Sequence, residues 1–194
     1  MAKNGRQVLS YKRRRNGKTN YKKRLRLLLS GTARAVIRKT NTKSIIQITQ
    51  YNATGDKVII GATSDTIKKA GWPYNGANLP GFYLTGIAAG KKALEKGVDT
   101  IIIDVGLRRV TKANCLFAAM KGLKDAGLNV KLEDDQAPSQ DRLEGKHISA
   151  YAAKLAAENK EQYDKLYSKY TKDGHKPEDM PQKVEEVKQK LLTK

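Results

Sequence analysis

Arg34-Ala-Val-Ile-Arg-Lys39, Ser44-Ile-Ile-Gln-Ile-Thr-Gln-Tyr51 and Lys57-Val-Ile-Ile-Gly-Ala62 are three short runs rich in β-branched residues. Between them stand Thr40-Asn41-Thr42 and Ala53-Thr54-Gly55-Asp56. These are turn formers, because short polar side chains bond to nearby backbone and glycine accepts positive φ at no steric cost. Strand-like runs joined by such short connections predict an antiparallel meander. In the middle run Ile46 and Ile48 alternate with Gln47 and Thr49, so one sheet face is expected beneath helices while the other stays polar. The polar face is either simply solvated or a contact surface for a polar ligand.

C-terminal to the meander the hydrophobic period changes. A short helical stretch is expected over Ile67–Ala70, and residues 71–80 are loop chemistry, dense in Gly, Pro and Asn. Leu84, Ile87, Ala88 and Leu94 give helical spacing within 81–96. Thr100–Val105 is a short apolar strand, and Leu116, Met120 and Leu123 form one stripe of a helix over Lys112–Ala126. A last strand is expected at Asn129–Leu132. Strand and helix in alternation imply parallel pairing, so the predicted fold class is α/β: a mixed sheet, built from the meander plus strand-helix-strand units, with helices packed on it.

Beyond Glu133 the composition turns to mixed charge with Tyr, Ala and Lys. Helices are expected over Ile148–Tyr170 and Pro181–Leu192, around the polar turn Gly174-His175-Lys176-Pro177. Large apolar residues are few there, so this extension is expected to pack on something else as much as on itself. The organisation predicted is a basic arm with a short helix (1–30), a globular α/β body (31–132) and a helical C-terminal extension (133–194).

Working outward in the other direction, residues 1–43 hold 15 Lys and Arg and no acid, the first carboxylate being Asp56. The whole chain carries a formal charge of +20, so three quarters of the net charge sits in about the first quarter of the sequence. Such a field calls for a polyanion. An anionic membrane would need an apolar span or an amphipathic anchor, and no apolar run of about 18 residues exists. The N-terminus also lacks the apolar stretch of a secretory signal, so the chain is expected to stay in the cytosol.

The arm interleaves Tyr11, Tyr21, Leu25, Leu27, Leu28 and Leu29 with Lys12, Arg13, Arg14, Arg15, Lys18, Lys22, Lys23, Arg24 and Arg26. Rings among guanidinium groups suit stacking on bases and packing over ribose, while the cations neutralise phosphates. Mutual repulsion predicts that residues 1–18 are largely disordered until RNA screens them. Thr19-Asn20 can cap a short helix from about Tyr21, with Leu25, Leu28 and Leu29 as an apolar stripe tying the arm to the body.

Sites of other chemistry fail on spacing. Cys115 is the one cysteine and, with His147 and His175, gives no zinc ligand set; it is expected in the core. Gly86-Ile-Ala-Ala-Gly90-Lys91 has three residues between its glycines where a phosphate loop has four, and Lys92 where that loop has Ser or Thr. Those glycines are expected to let a helix approach the sheet. Asp104 ends an apolar strand but lacks companion acids for metal-assisted cleavage, and is expected to pair with Arg108 or Arg109. No catalytic residue, metal or cofactor is expected. Trp72, in the loop, either packs in the core or meets a base or ribose.

Several stretches resemble a known family. They are Tyr11-Lys-Arg-Arg-Arg-Asn-Gly-Lys-Thr-Asn-Tyr21, Arg24-Leu-Arg-Leu-Leu, Arg34-Ala-Val-Ile-Arg-Lys-Thr-Asn41, Gly71-Trp72, Leu84-Thr-Gly86, Asp104-Val-Gly-Leu107 and Asp125-Ala-Gly-Leu128. Together, and in this order from Tyr11 to about Tyr151, they are similar to the archaeal and eukaryotic branch of the large-subunit ribosomal protein family numbered eighteen, whose eukaryotic members carry the number five. The resemblance implies a non-enzymatic protein that binds 5S rRNA at the central protuberance and also meets 23S-type large-subunit rRNA and neighbouring ribosomal proteins. The RNA contacts it implies are Lys12, Arg13, Arg14, Arg15, Lys18, Thr19, Asn20, Tyr21, Arg24 and Arg26, then Arg38, Lys39, Thr40 and Asn41, with Gln47 and Trp72 as lesser ones. Bacterial members lack most of the C-terminal extension, which places this chain in the archaeal-type branch. A nuclease and a general DNA-compacting protein are the rival readings; turnover of labelled RNA with Mg²⁺, and competition by duplex DNA, separate them from an RNA binder.

Overall fold

The computed structural model describes residues 9–193. Four strands in the order β3-β2-β1-β4 make one mixed sheet. β1 (Arg34–Lys39) runs antiparallel to β2 (Ser44–Gln50), and β2 antiparallel to β3 (Lys57–Thr63), which is the meander expected from the turn residues. Thr40 closes the first turn: its N–H donates to the Lys43 carbonyl at 3.0 Å and its Oγ1 accepts from the Lys43 N–H at 2.8 Å. β4 (Ile102–Asp104) returns parallel to β1, with Arg34 level with Ile102.

The strand expected at Asn129–Leu132 is not formed; a single parallel bridge joins Thr100 and Asn129. Leu128, Val130 and Leu132 are all buried, so the alternation is real. It arises from an extended segment laid on the core without a ladder beside it, and periodicity alone does not distinguish the two.

Two helices precede the sheet, α1 (Lys12–Arg15) and α2 (Tyr21–Leu28). α3 (Ser64–Lys69) and α4 (Leu79–Leu94) lie between β3 and β4, and after β4 come α5 (Cys115–Asp125), α6 (Gln140–Glu144), α7 (Lys146–Glu158), α8 (Lys160–Lys172) and α9 (Met180–Thr193). α3 starts earlier than its apolar residues suggest because Thr63 and Thr66 form a capping box at its start. The single helix expected over Ile148–Tyr170 is two helices. They break at Asn159, in a non-helical conformation (φ −152°, ψ 89°), whose side chain accepts from the Gln162 N–H at 3.1 Å and so caps α8.

α4 is the centre of the molecule. Twelve of its 16 residues are buried, which accounts for the weak one-sidedness of its sequence. Ala35, Ile37, Ile46, Ile48, Ile60 and Ala62 of the sheet share one core with its Phe82, Leu84 and Ile87. Its glycines meet α5 rather than the sheet, correcting the expectation above. A Cβ on Gly86 would stand 2.4 Å from the Ala119 carbonyl oxygen, and one on Gly122 of α5 would stand 2.2 Å from that of Tyr83. Leu143 of α6 and Met180, Val184 and Val187 of α9 belong to this same core, whereas α8 buries no residue.

Candidate nucleic-acid interface

The sheet face turned away from α4 carries Arg34, Val36 and Arg38 of β1, level with Thr49, Gln47 and Ile45 of β2. At one end of this face Arg34 is buried (1% exposed), with Nη2 2.7 Å from Asp56 and Nη1 3.1 Å from Asp104. Asp56 also receives Arg24 of α2 at 2.8 Å. Burial pushes the Asp56 carboxyl up, but the hydrogen bonds and charges of Arg24 and Arg34 outweigh it and hold the group below the usual carboxylate value. The second oxygen of Asp104 accepts from the Gly106 N–H at 2.8 Å. Asp104 is therefore structural, but its cation is Arg34; Arg108 instead donates to the Lys39 carbonyl at 2.6 Å.

This chain of charges fastens the arm to the body. The stripe of Leu25, Leu28 and Leu29 does not: Leu25 and Leu29 are 61% and 78% exposed, and α2 has no fully buried residue. Polar ties replace it. Arg24 holds Asp56, Lys23 Nζ donates to the Gly106 carbonyl at 3.1 Å, and Asn20 caps the helix by accepting from the Lys23 N–H at 3.1 Å. Further out, Arg13 Nε donates to Thr19 Oγ1 at 3.0 Å, and the Tyr11 and Tyr21 rings pack with centroids 5.0 Å apart. Of the stretch 1–18 expected to be disordered, residues 1–8 lie outside the described residues and Lys12–Arg15 form a helical turn.

Arm and sheet edge enclose a cleft of about 450 Å³ lined by Arg13, Lys18, Tyr21, Lys23, Arg38 and Leu107, with the paired Asp56 and Asp104 also on its walls. Arg38 lies against Gly106, whose φ of +64° and missing side chain allow the approach; a Cβ there would sit 3.2 Å from Arg38 Nη1. Ten cations are free of acids: no carboxylate among the described residues comes within 4.0 Å of Lys12, Arg13, Arg14, Arg15, Lys18, Lys22, Lys23, Arg26, Arg38 or Lys39. In the extension, by contrast, Lys146, Lys183 and Lys190 each sit on carboxylates.

The structure gathers most of the residues singled out from the sequence, but not all. Thr40 and Asn41 are exposed at the β1–β2 turn, and Gln47 is half-buried in mid-sheet, level with Val36 and Gly61. Lys39 is half-buried, 3.0 Å from the sulfur of Cys115, which stands half-buried at the start of α5, packed against the core at its margin. Trp72 is withdrawn from the contact set. Its indole is 1% exposed, packed edge-on to Tyr74 with its N–H directed at the Asn75 carbonyl, so no base or ribose can reach it without opening the core. The residues that sequence reasoning missed are Arg34 and Asp56; the one signal for them was an acid appearing after 55 acid-free residues, in the turn between β2 and β3.

The family model for ribosomal large subunit proteins 60S L5 and 50S L18 matches residues 6–100. The large ribosomal subunit protein uL18 of Thermofilum pendens is 44% identical over 191 residues, covering 98% of this chain and 97% of that protein. This chain belongs to the uL18 family. The uL18 protein of Caldivirga maquilingensis is 43% identical over 195 residues, spanning all of this chain and 94% of the relative. Both alignments run through the helical extension, as expected for the archaeal-type branch. A uL18-family chain is a structural component of the large ribosomal subunit with ribosomal RNA and ribosomal proteins as neighbours, which removes the nuclease and DNA-compaction readings.

Proposed function

We propose that this chain binds 5S rRNA and helps attach it to the 23S-type rRNA of the large subunit, forming the central protuberance of the cytoplasmic ribosome. The observation that carries the reading is the set of ten cations without acidic partners among the described residues, spread over the arm and β1 while the carboxylates nearest them are already occupied. Lys12, Arg13, Arg14, Arg15, Lys18 and Arg26 neutralise phosphates; Thr19, Asn20 and Tyr21 present hydroxyl, amide and ring to ribose and base. Arg38, Lys39, Thr40 and Asn41 extend the contact along β1 and its turn, and Gln47 lies on the same sheet face. Arg24, held by Asp56, sets the angle at which α2 carries its neighbours. The arm, the body and the extension divide the work, with the first two on 5S rRNA.

Affinity then comes largely from counterion release and specificity from RNA shape and 2′-hydroxyl contacts. The test is 5S rRNA binding measured across salt concentrations. The logarithm of the binding constant is expected to fall with log salt by about 0.7–0.9 for each phosphate neutralised. Footprinting with the full chain and with a variant lacking residues 1–18 should show protections that vanish with the arm. A salt-independent affinity, or an unchanged footprint, overturns the reading.

A further inference from the structure

A second groove, of about 550 Å³, begins at Thr42 and Lys43 of the β1–β2 turn, passes the loop carrying Pro73 and Asn75, and is closed by α8. Its rim is cationic. Lys43 is shared with Asp65 at 2.8 Å, while Lys68 and Lys169 have no carboxylate within 4.0 Å among the described residues. Asp173 is the one acid on its lining, against three lysines. The floor is apolar and firm: half-buried Pro73, Leu166 at 55% exposure, and the Tyr170 ring. Tyr170 is held edge-on against Tyr74 with centroids 5.3 Å apart, and its hydroxyl accepts from the Asn75 N–H at 3.2 Å. Tyr74 in turn donates to the Lys176 carbonyl at 2.5 Å.

An aromatic and aliphatic floor between cations suits an unstacked base with phosphates on either side. The excess of lysines favours a polyanion over an apolar peptide, and the groove is continuous with the β1–β2 turn. We infer that it binds an unpaired segment of ribosomal RNA, one base lying on Pro73, Leu166 and Tyr170 while Lys68 and Lys169 hold its phosphates. This gives α8, a helix of the extension without a fully buried residue, a task of its own. Only the path by which the strand arrives rests on the RNA contact proposed for the turn.

The experiment uses the full-length protein and a short oligouridylate carrying 4-thiouridine, photo-crosslinked and mapped by mass spectrometry. Adducts are expected in peptides covering residues 68–76 or 163–173, besides those in the arm. Leu166→Glu, at an exposed site that tolerates charge, and the double variant Lys68→Glu/Lys169→Glu are each expected to lower the groove adduct more than about fivefold, the low end of losing one base stack, with arm adducts unchanged. Adducts confined to residues 1–41 overturn the inference, as do groove adducts at full yield in both variants or equal competition by duplex RNA. Groove adducts without arm adducts would refute the arm contact and leave the groove standing.

Discussion

Arg34 is the residue on which the arm and the sheet both depend. Its guanidinium is almost wholly buried between two carboxylates, and its Nε has no partner among the described residues. Taking such a group from water is costly, and removing it leaves Asp56 and Asp104 with an uncompensated share of negative charge. Arg34→Ala is therefore expected to lose about 3 kcal/mol or more of stability in urea denaturation, the scale of a broken buried ion pair. The pH dependence follows from Asp56. Its proton affinity is lower in the folded chain than in the unfolded one, so its contribution is complete above the ordinary aspartate value of 3.8 and is lost as pH falls through the lower folded value. Asp56→Asn should flatten the acid limb of a stability profile; an unaltered limb would show that the pair is not formed in solution.

At the scale of elements, the contact between α4 and α5 is set by missing side chains. Gly122→Ala would drive a methyl into the Tyr83 carbonyl, an obstacle of backbone rather than of a side chain that can swing away. A loss of about 1–3 kcal/mol or more is expected from thermal denaturation, as for other overpacked cores. Gly61→Ala is the control: nothing lies within 4 Å of its Cβ position on the open sheet face, so stability should hardly move. For α2, Asn20→Ala removes the one side-chain cap and should cost about 1 kcal/mol of local helix stability, seen as faster amide exchange at Lys23. The caps also show how far sequence carried. Asn20 was legible as a helix start because its residue type and position are local facts. The break at Asn159 was not, since the residues on both sides of it favour helix and only the fold turns the chain there.

On the scale of the whole molecule, charge and core pull different observables in opposite directions. Like charges crowd the arm and sheet edge, so added salt should raise the melting temperature of the free protein by screening them, while the same salt weakens RNA binding. Thermal melts and binding curves taken over one salt series test both signs. The core, for its part, reaches into the extension. Deleting residues 177–194 uncovers the flank of α4 against which Met180, Val184 and Val187 are buried. That variant is expected to bind a hydrophobic dye and to lose its cooperative melt; a truncated chain melting like the full one would contradict a shared core.

By itself the sequence determined the class of fold and the class of partner, because both rest on quantities that are local or additive. Turn residues at short intervals dictate a meander, alternation dictates a buried face, and acid-free cationic residues sum to a field wherever they lie. Only the tertiary structure decided which acid meets which cation, that Trp72 is interior, that Leu25 and Leu29 stay outside, and that α4 meets α5 through glycine. Those outcomes depend on residues far apart in the chain being brought within a few ångströms, and side-chain type fixes the strength of such a contact without naming its partner.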